Sequence, residues 1–133
     1  MRAHQLNARI LVVDDDPTLL AVFVEALTAE GYRVATASNG RLALDRMREA
    51  RYDVIFCDIR MPELDGIGLY RVLERDHPEL CPRIIFVTGY GLSPDIQAFV
   101  LETGVPILWK PFHVAEICWI ARLMLGVKKA QKG

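Results

Sequence analysis

Cysteine is scarce and badly placed for structural work. Cys57, Cys81 and Cys118 are odd in number and widely separated, and no C-x-x-C pair occurs, which argues against both a disulfide framework and a zinc site. A reducing cytoplasm is the expected setting. His4, His77 and His113 lack the partner spacing of a metal site or catalytic triad. No apolar run approaches the ~18 residues of a membrane span, and Met1 to Arg9 is too polar for a leader peptide, so no membrane association is expected. Neither sign of charge dominates: 16 basic residues face 17 acidic ones, for a formal charge of -1. That balance argues against direct nucleic-acid binding.

What is present is apolar and regularly spaced. Hydrophobic residues make up 52% of 133, enough for one well-filled core and too few residues for two ordinary domains. The expected organisation is a polar extension at 1–8, one domain at 9–126 and a basic tail at 127–133, frayed from Lys128 on. Ile10 to Val13 is a short β-branched run suited to a buried strand. Asp16-Pro17 then caps a helix that runs to about residue 30, with Leu20, Phe23, Val24 and Leu27 at helical spacing and Gly31 as its stop.

The alternation repeats four more times. Strands are expected at 32–37, 53–57, 83–87 and 105–109, and helices around Ala43 to Ala50, at 66–76, from Ser93-Pro94 to Gly104, and from Phe112 to Leu125. Five strands alternating with five helices imply right-handed crossovers and an α/β fold, a doubly wound parallel sheet.

Ligands of open parallel sheets bind beyond the carboxyl ends of the strands. Collected there are Asp14, Asp15 and Asp16 after the first strand, Asp58 after the third, Thr88 and Gly89 after the fourth, and Lys110-Pro111 after the fifth. Asp58 stands out, because four apolar residues deliver a carboxylate where core packing has no use for one. Asp16 serves as a helix cap, which leaves Asp14 and Asp15 unexplained by capping. Carboxylates gathered from two strands repel unless a cation lies among them, and hard oxygen donors suit Mg²⁺. With a lysine and a hydroxyl nearby, the set fits phosphoryl transfer to Asp58.

Four blocks carry a family resemblance: Leu11-Val12-Val13-Asp14-Asp15-Asp16, Asp58-Ile59-Arg60-Met61-Pro62 with Asp65-Gly66, Val87-Thr88-Gly89, and Lys110-Pro111-Phe112. In this order and at these strand ends the chain resembles the receiver domains of two-component response regulators. The resemblance implies a flavodoxin-like strand order 2-1-3-4-5 and makes Asp58 the phosphoacceptor. It implies Mg²⁺ held by Asp15, Asp58 and the main-chain carbonyl of Arg60, with Asp14 assisting through water. Thr88, Gly89 and Lys110 then receive the phosphoryl oxygens, the donor is a histidine kinase or histidine phosphotransfer protein, and the receiver assists its own phosphorylation and dephosphorylation without being an enzyme in the usual sense.

The chain departs from the family pattern at Ile107, where an aromatic switch residue is usual. Trp109 is expected to share the face of Ile107, where it either contributes a modified switch or packs against the last helix. Arg60 and Tyr90 are bulky enough to shield an acyl phosphate, the alternative being that they lie outward in solvent. On the last helix Val114, Ile117, Cys118, Ala121 and Leu125 form a core face, while Phe112, Trp119 and Leu123 form a second stripe. In the family, the face of helix four, strand five and helix five carries homodimer or partner contacts. The same residues also fit the receiver portion of a hybrid histidine kinase. A flavodoxin-like cofactor binder lacks support because no Gly- or Ser/Thr-rich phosphate loop follows the first strand. An aspartyl-phosphate hydrolase using Asp14 and Asp16 would leave Asp58 idle.

Overall fold

The computed structural model describes residues 7–89 and 93–132, with side chains through 126. Five strands alternate with five helices in chain order: β1 (Arg9–Val13), α1 (Pro17–Ala29), β2 (Arg33–Ala37), α2 (Gly40–Glu49), β3 (Val54–Asp58), α3 (Gly66–Asp76), β4 (Ile84–Thr88), α4 (Pro94–Thr103), β5 (Ile107–Trp109) and α5 (Val114–Lys132). A 3₁₀ segment, Pro78–Arg83, joins α3 to β4. All strand pairs are parallel, in the order 2-1-3-4-5. Among the described residues, no helix is long and apolar enough to cross a membrane.

The pleat sends alternate side chains to opposite faces, so each buried strand feeds two cores. Leu11, Val13, Ile55, Cys57, Ile84 and Phe86 meet Ala43 of α2, Leu69 and Leu73 of α3, and Phe99 of α4. Ile10, Val12, Phe56, Val87 and Leu108 meet Phe23 and Leu27 of α1 and Ile117 and Ala121 of α5. Burial of β1, β3 and β4 on both faces explains why their sequences are continuously apolar rather than alternating.

Local capping follows the expected chemistry. The Asp16 carboxylate accepts from the Thr18 amide at 2.9 Å, and Asp65 accepts from Gly68 at 2.8 Å. Asn39 caps α2, its side-chain oxygen accepting from the Leu42 amide. The domain starts slightly earlier than expected, since Ala8 is buried and its carbonyl accepts from Arg33.

Three expectations need correction. The helix α5 begins at Val114 and continues to Lys132, so the 127–132 segment is helical rather than a frayed tail; Lys, Ala and Gln favour helix and no proline intervenes. Trp109 does not pack on that helix. On the edge strand β5 it is Leu108 that turns toward Ile117, and the pleat leaves Trp109 48% exposed on the other side. Phe112 leaves the outer stripe, because its ring sits edge-to-face on Phe23 with centroids 5.6 Å apart, at the margin of the core.

Candidate functional site

The ends of β1, β3 and β5 build one open cavity of about 440 Å³, lined by Asp14, Asp15, Asp16, Asp58, Arg60 and Lys110. Asp14 and Asp58 lie on adjacent strands in matching register, where Val13 pairs with Cys57. One carboxylate oxygen each from Asp14, Asp15 and Asp58 falls within a 4.8 Å cluster. Asp14 and Asp58 are buried, 3% and 8% exposed, while Asp15 faces solvent.

Backbone contacts fix these carboxylates. Asp14 receives the Asp16 amide at 2.8 Å, which turns the chain from β1 toward α1. The amide of Arg60 donates to Asp58. Behind Asp58, α3 comes very close to β3: a Cβ added to Gly66 would lie 2.6 Å from the Asp58 carbonyl and 2.9 Å from the Ile59 Cα. The Gly66 amide donates to the Ile59 carbonyl at 2.9 Å. Only glycine lets the loop close this tightly.

Lys110 reaches the site from two strands away. Its amide donates to the Thr88 carbonyl at 2.8 Å, which anchors it to the end of β4. Its side chain then passes over Gly89, where a Cβ would lie 2.9 Å from Lys110 Cβ. The Nζ atom stops 3.9 Å from Asp58 Oδ2. The Lys110–Pro111 peptide bond is cis.

The electrostatics are those of crowded acids. Burial raises the pKa of Asp58 to about 6, and the charges of Asp14 and Asp15 push the same way, against Lys110 and the Arg60 amide. Asp14 is raised too, mainly by burial, with the Asp16 amide and Lys110 opposing. Burial also drives up the thiol of Cys57, as expected of a small core residue.

The arrangement thus brings together Asp14, Asp15, Asp58, Arg60 and Lys110. Thr88 stands apart: it is buried at the end of β4 on the pleat side of Phe86 and does not line the cavity. Ile107 is half-buried on the edge strand. Tyr90 lies outside the described residues. Asp16, assigned in sequence to capping alone, also lines the cavity, and the close approaches at Gly66 and Gly89 had no sequence signal beyond the glycines themselves.

Comparison with known proteins points the same way. Residues 10–122 match the family described as the response regulator receiver domain. The chain is 37% identical over 112 residues to the response regulator receiver protein CpdR of Brucella abortus, covering 82% of this chain and 89% of that protein. It is 32% identical over 121 residues to the sensor kinase CckA of the same organism, covering 90% of this chain and 13% of the kinase. It spans only 22% to 24% of the length of several transcriptional regulators that it also matches. The crystal structure of the Vibrio cholerae chemotaxis protein CheY4 superposes with a TM-score of 0.77 at 29% identity, covering 89% of this chain and 98% of that one. With a parallel sheet of order 2-1-3-4-5 and three aspartates and a lysine gathered at its carboxyl edge, the chain belongs to the response regulator receiver domain family.

Proposed function

We infer that this receiver domain accepts a phosphoryl group on Asp58 from the phosphohistidine of a histidine kinase or phosphotransfer protein in the cytoplasm. The observation that carries the reading is the setting of Asp58: a buried carboxylate open to one cavity, crowded by Asp14 and Asp15 and faced by Lys110 at 3.9 Å. A carboxylate oxygen of Asp58 attacks phosphorus, the phosphorus–nitrogen bond of the donor breaks, and the released imidazole takes a proton from solvent. The product is an acyl phosphate, which water later hydrolyses back to the carboxylate and phosphate.

The donor set fits a hard divalent cation. Asp14, Asp15 and Asp58 form an all-oxygen group whose mutual repulsion a cation would relieve, and the main-chain carbonyl of Arg60 would add a fourth oxygen ligand. Mg²⁺ bound there would neutralise charge on the transferring phosphoryl oxygens. Lys110 supplies a further positive charge from the other side. Gly89 leaves room for it, and its amide together with the hydroxyl of Thr88 would hold the remaining oxygens once Thr88 turns toward the cavity. Arg60, at the rim, would limit the approach of water to the acyl phosphate.

The phosphorylation signal would leave through the face of α4, β5 and α5. Exposed apolar side chains gather on these elements, including Leu101, Trp109, Trp119 and Leu123. Trp119 and Leu123 are the contacts assigned to a homodimer or partner protein; Phe112 is spent on Phe23.

Incubation with Mg²⁺ and acetyl phosphate, read by intact mass and acyl-phosphate trapping, tests the reading. One phosphoryl group should appear on the parent chain and be absent from Asp58→Asn. An unmodified parent chain, or equal modification of Asp58→Asn, would overturn it.

A further inference from the structure

At the opposite end of the sheet, the residues leading into β3 and β4 enclose a second cavity, of about 410 Å³. β3 is five residues long, so this cavity and Asp58 are separated by roughly 16 Å of strand. Its chemistry is the reverse of the aspartate site. Arg83 is buried, 8% exposed, and its Nη1 donates to the Tyr52 carbonyl at 2.8 Å. That is its one hydrogen bond among the described residues, and no buried side-chain nitrogen is left unsatisfied, so the remaining guanidinium N–H groups reach the solvent of the cavity.

Arg51 stands beside it, exposed, with no ion pair among the described residues. Of the other charged groups of the lining, Arg48 pairs with Asp45 at 2.8 Å and Glu49 with Arg46 at 3.5 Å, while Glu79 lies 3.7 Å from His77, a contact that matches its charge only when the imidazole is protonated. Two neighbouring guanidinium groups, Arg83 and Arg51, thus share one cavity, with the carboxylates of Asp53 and Glu79 offsetting part of the charge on Arg83. Burial and the charge of Arg51 both act to lower the pKa of Arg83, with Asp53 and Glu79 opposing. A buried cation beside a second cation is costly unless an anion joins them.

We propose that this cavity binds the dianionic phosphate of a small phosphomonoester, with Arg83 and Arg51 holding the phosphate oxygens. Two guanidinium groups match a dianion in charge, and their planar N–H forks suit phosphate oxygens. Met47, Tyr52 and Leu80 supply an apolar wall for the organic part of the ligand, and the volume is that of a small-molecule site. The site is independent of phosphorylation at Asp58.

The test is an amide and arginine side-chain NMR titration of the full chain, without Mg²⁺, using adenosine monophosphate, inorganic phosphate and adenosine as probes. The two phosphates should give saturable shifts at residues 47–52 and 77–83 and at the Arg83 Nε–H, while adenosine should not. Arg51→Ala should weaken the affinity about tenfold, the loss expected for one charge-assisted contact. Arg51 is exposed, so this variant should fold and still accept phosphate at Asp58 from acetyl phosphate. Arg83→Lys, which keeps the charge but not the fork, should weaken adenosine monophosphate as well. The absence of saturable shifts up to about 10 mM of either phosphate, an unchanged affinity in Arg51→Ala, or equal shifts with adenosine would each overturn the proposal.

Discussion

Lys110 Nζ lies 3.9 Å from Asp58 Oδ2 although β4 separates their two strands. The lysine can bridge that distance because its backbone is tied to Thr88 and Gly89 offers no Cβ in its path. A single cation so placed offsets only part of the cost of burying Asp58 and of its repulsion by Asp14 and Asp15, and Asp58 keeps a pKa of about 6.

This has a consequence for stability. Asp58 is raised from 3.8 to about 6 in the folded state. Between those values the folded chain holds a proton that the unfolded chain has released, so stability falls as pH rises through this window and the deficit persists above it. Without divalent ions, Asp58→Asn should therefore be more stable than the parent at about pH 7, by on the order of 1–3 kcal/mol. The gap should close toward about pH 4, where the parent carboxyl is protonated. Urea denaturation of both chains across the range checks this; a gap independent of pH would contradict it.

Removing Lys110 should move the same titration. Its charge is one of the two influences that hold Asp58 down, so Lys110→Ala should shift the Asp58 midpoint upward from about 6. Carboxyl-carbon NMR titration reads the midpoint directly. The rate of phosphorylation by acetyl phosphate should fall in parallel, since the charge that faces the incoming phosphoryl oxygens is lost.

Divalent ions should act against the same repulsion. Millimolar Mg²⁺ should raise the melting temperature of the parent chain, because binding to the folded state alone stabilises it by mass action. Asp15→Asn should lose most of that gain while changing the metal-free stability by no more than about 0.5 kcal/mol, as Asp15 is exposed. An equal Mg²⁺ response in the variant would place the ion elsewhere.

Much of this site could be read from the chain because strands place residues by simple counting. A buried run of four apolar residues ending in Asp58, with counterparts ending in Asp14, Thr88 and Lys110, predicts convergence at one sheet edge. What escaped depends on contacts distant in sequence. Phe112 is captured by Phe23, and Trp109 is turned outward by the pleat of an edge strand only three residues long. Strand β5 was expected from Val105, yet it starts at Ile107: Pro106 has no N–H to give and contributes only its carbonyl, to the Phe86 amide. The burial of Arg83 depends on a main-chain carbonyl 31 residues away.

Gly66 should be among the least tolerant positions near the site. Its missing Cβ would meet the Asp58 carbonyl oxygen and the Ile59 Cα, backbone atoms that cannot swing aside, and the ring of the fully buried Phe86. Gly66→Ala should destabilise the domain by about 1–3 kcal/mol, the usual cost of overpacking. It should also slow phosphorylation by displacing Asp58. Gly126→Ala, where a new Cβ meets nothing within 4 Å, is the matched control and should leave both unchanged or slightly improve stability.

The exposed stripe on α5 gives the last prediction. Ile117 and Ala121 are fully buried against the sheet, so helical geometry turns Trp119 and Leu123 away from it; Trp119 is 59% exposed and Leu123 46%. Neither side chain has a place in either core, and truncating Trp119 should change the stability of the isolated domain by less than about 0.5 kcal/mol. Its cost should appear on association instead, where buried tryptophans commonly carry 2 kcal/mol or more. Sedimentation of the phosphorylated chain should show weaker self-association or partner binding in Trp119→Ala by at least about tenfold, with denaturation unchanged. If association is unaffected while stability drops, Trp119 belongs to the packing of α5, and the signal from Asp58 leaves by another face.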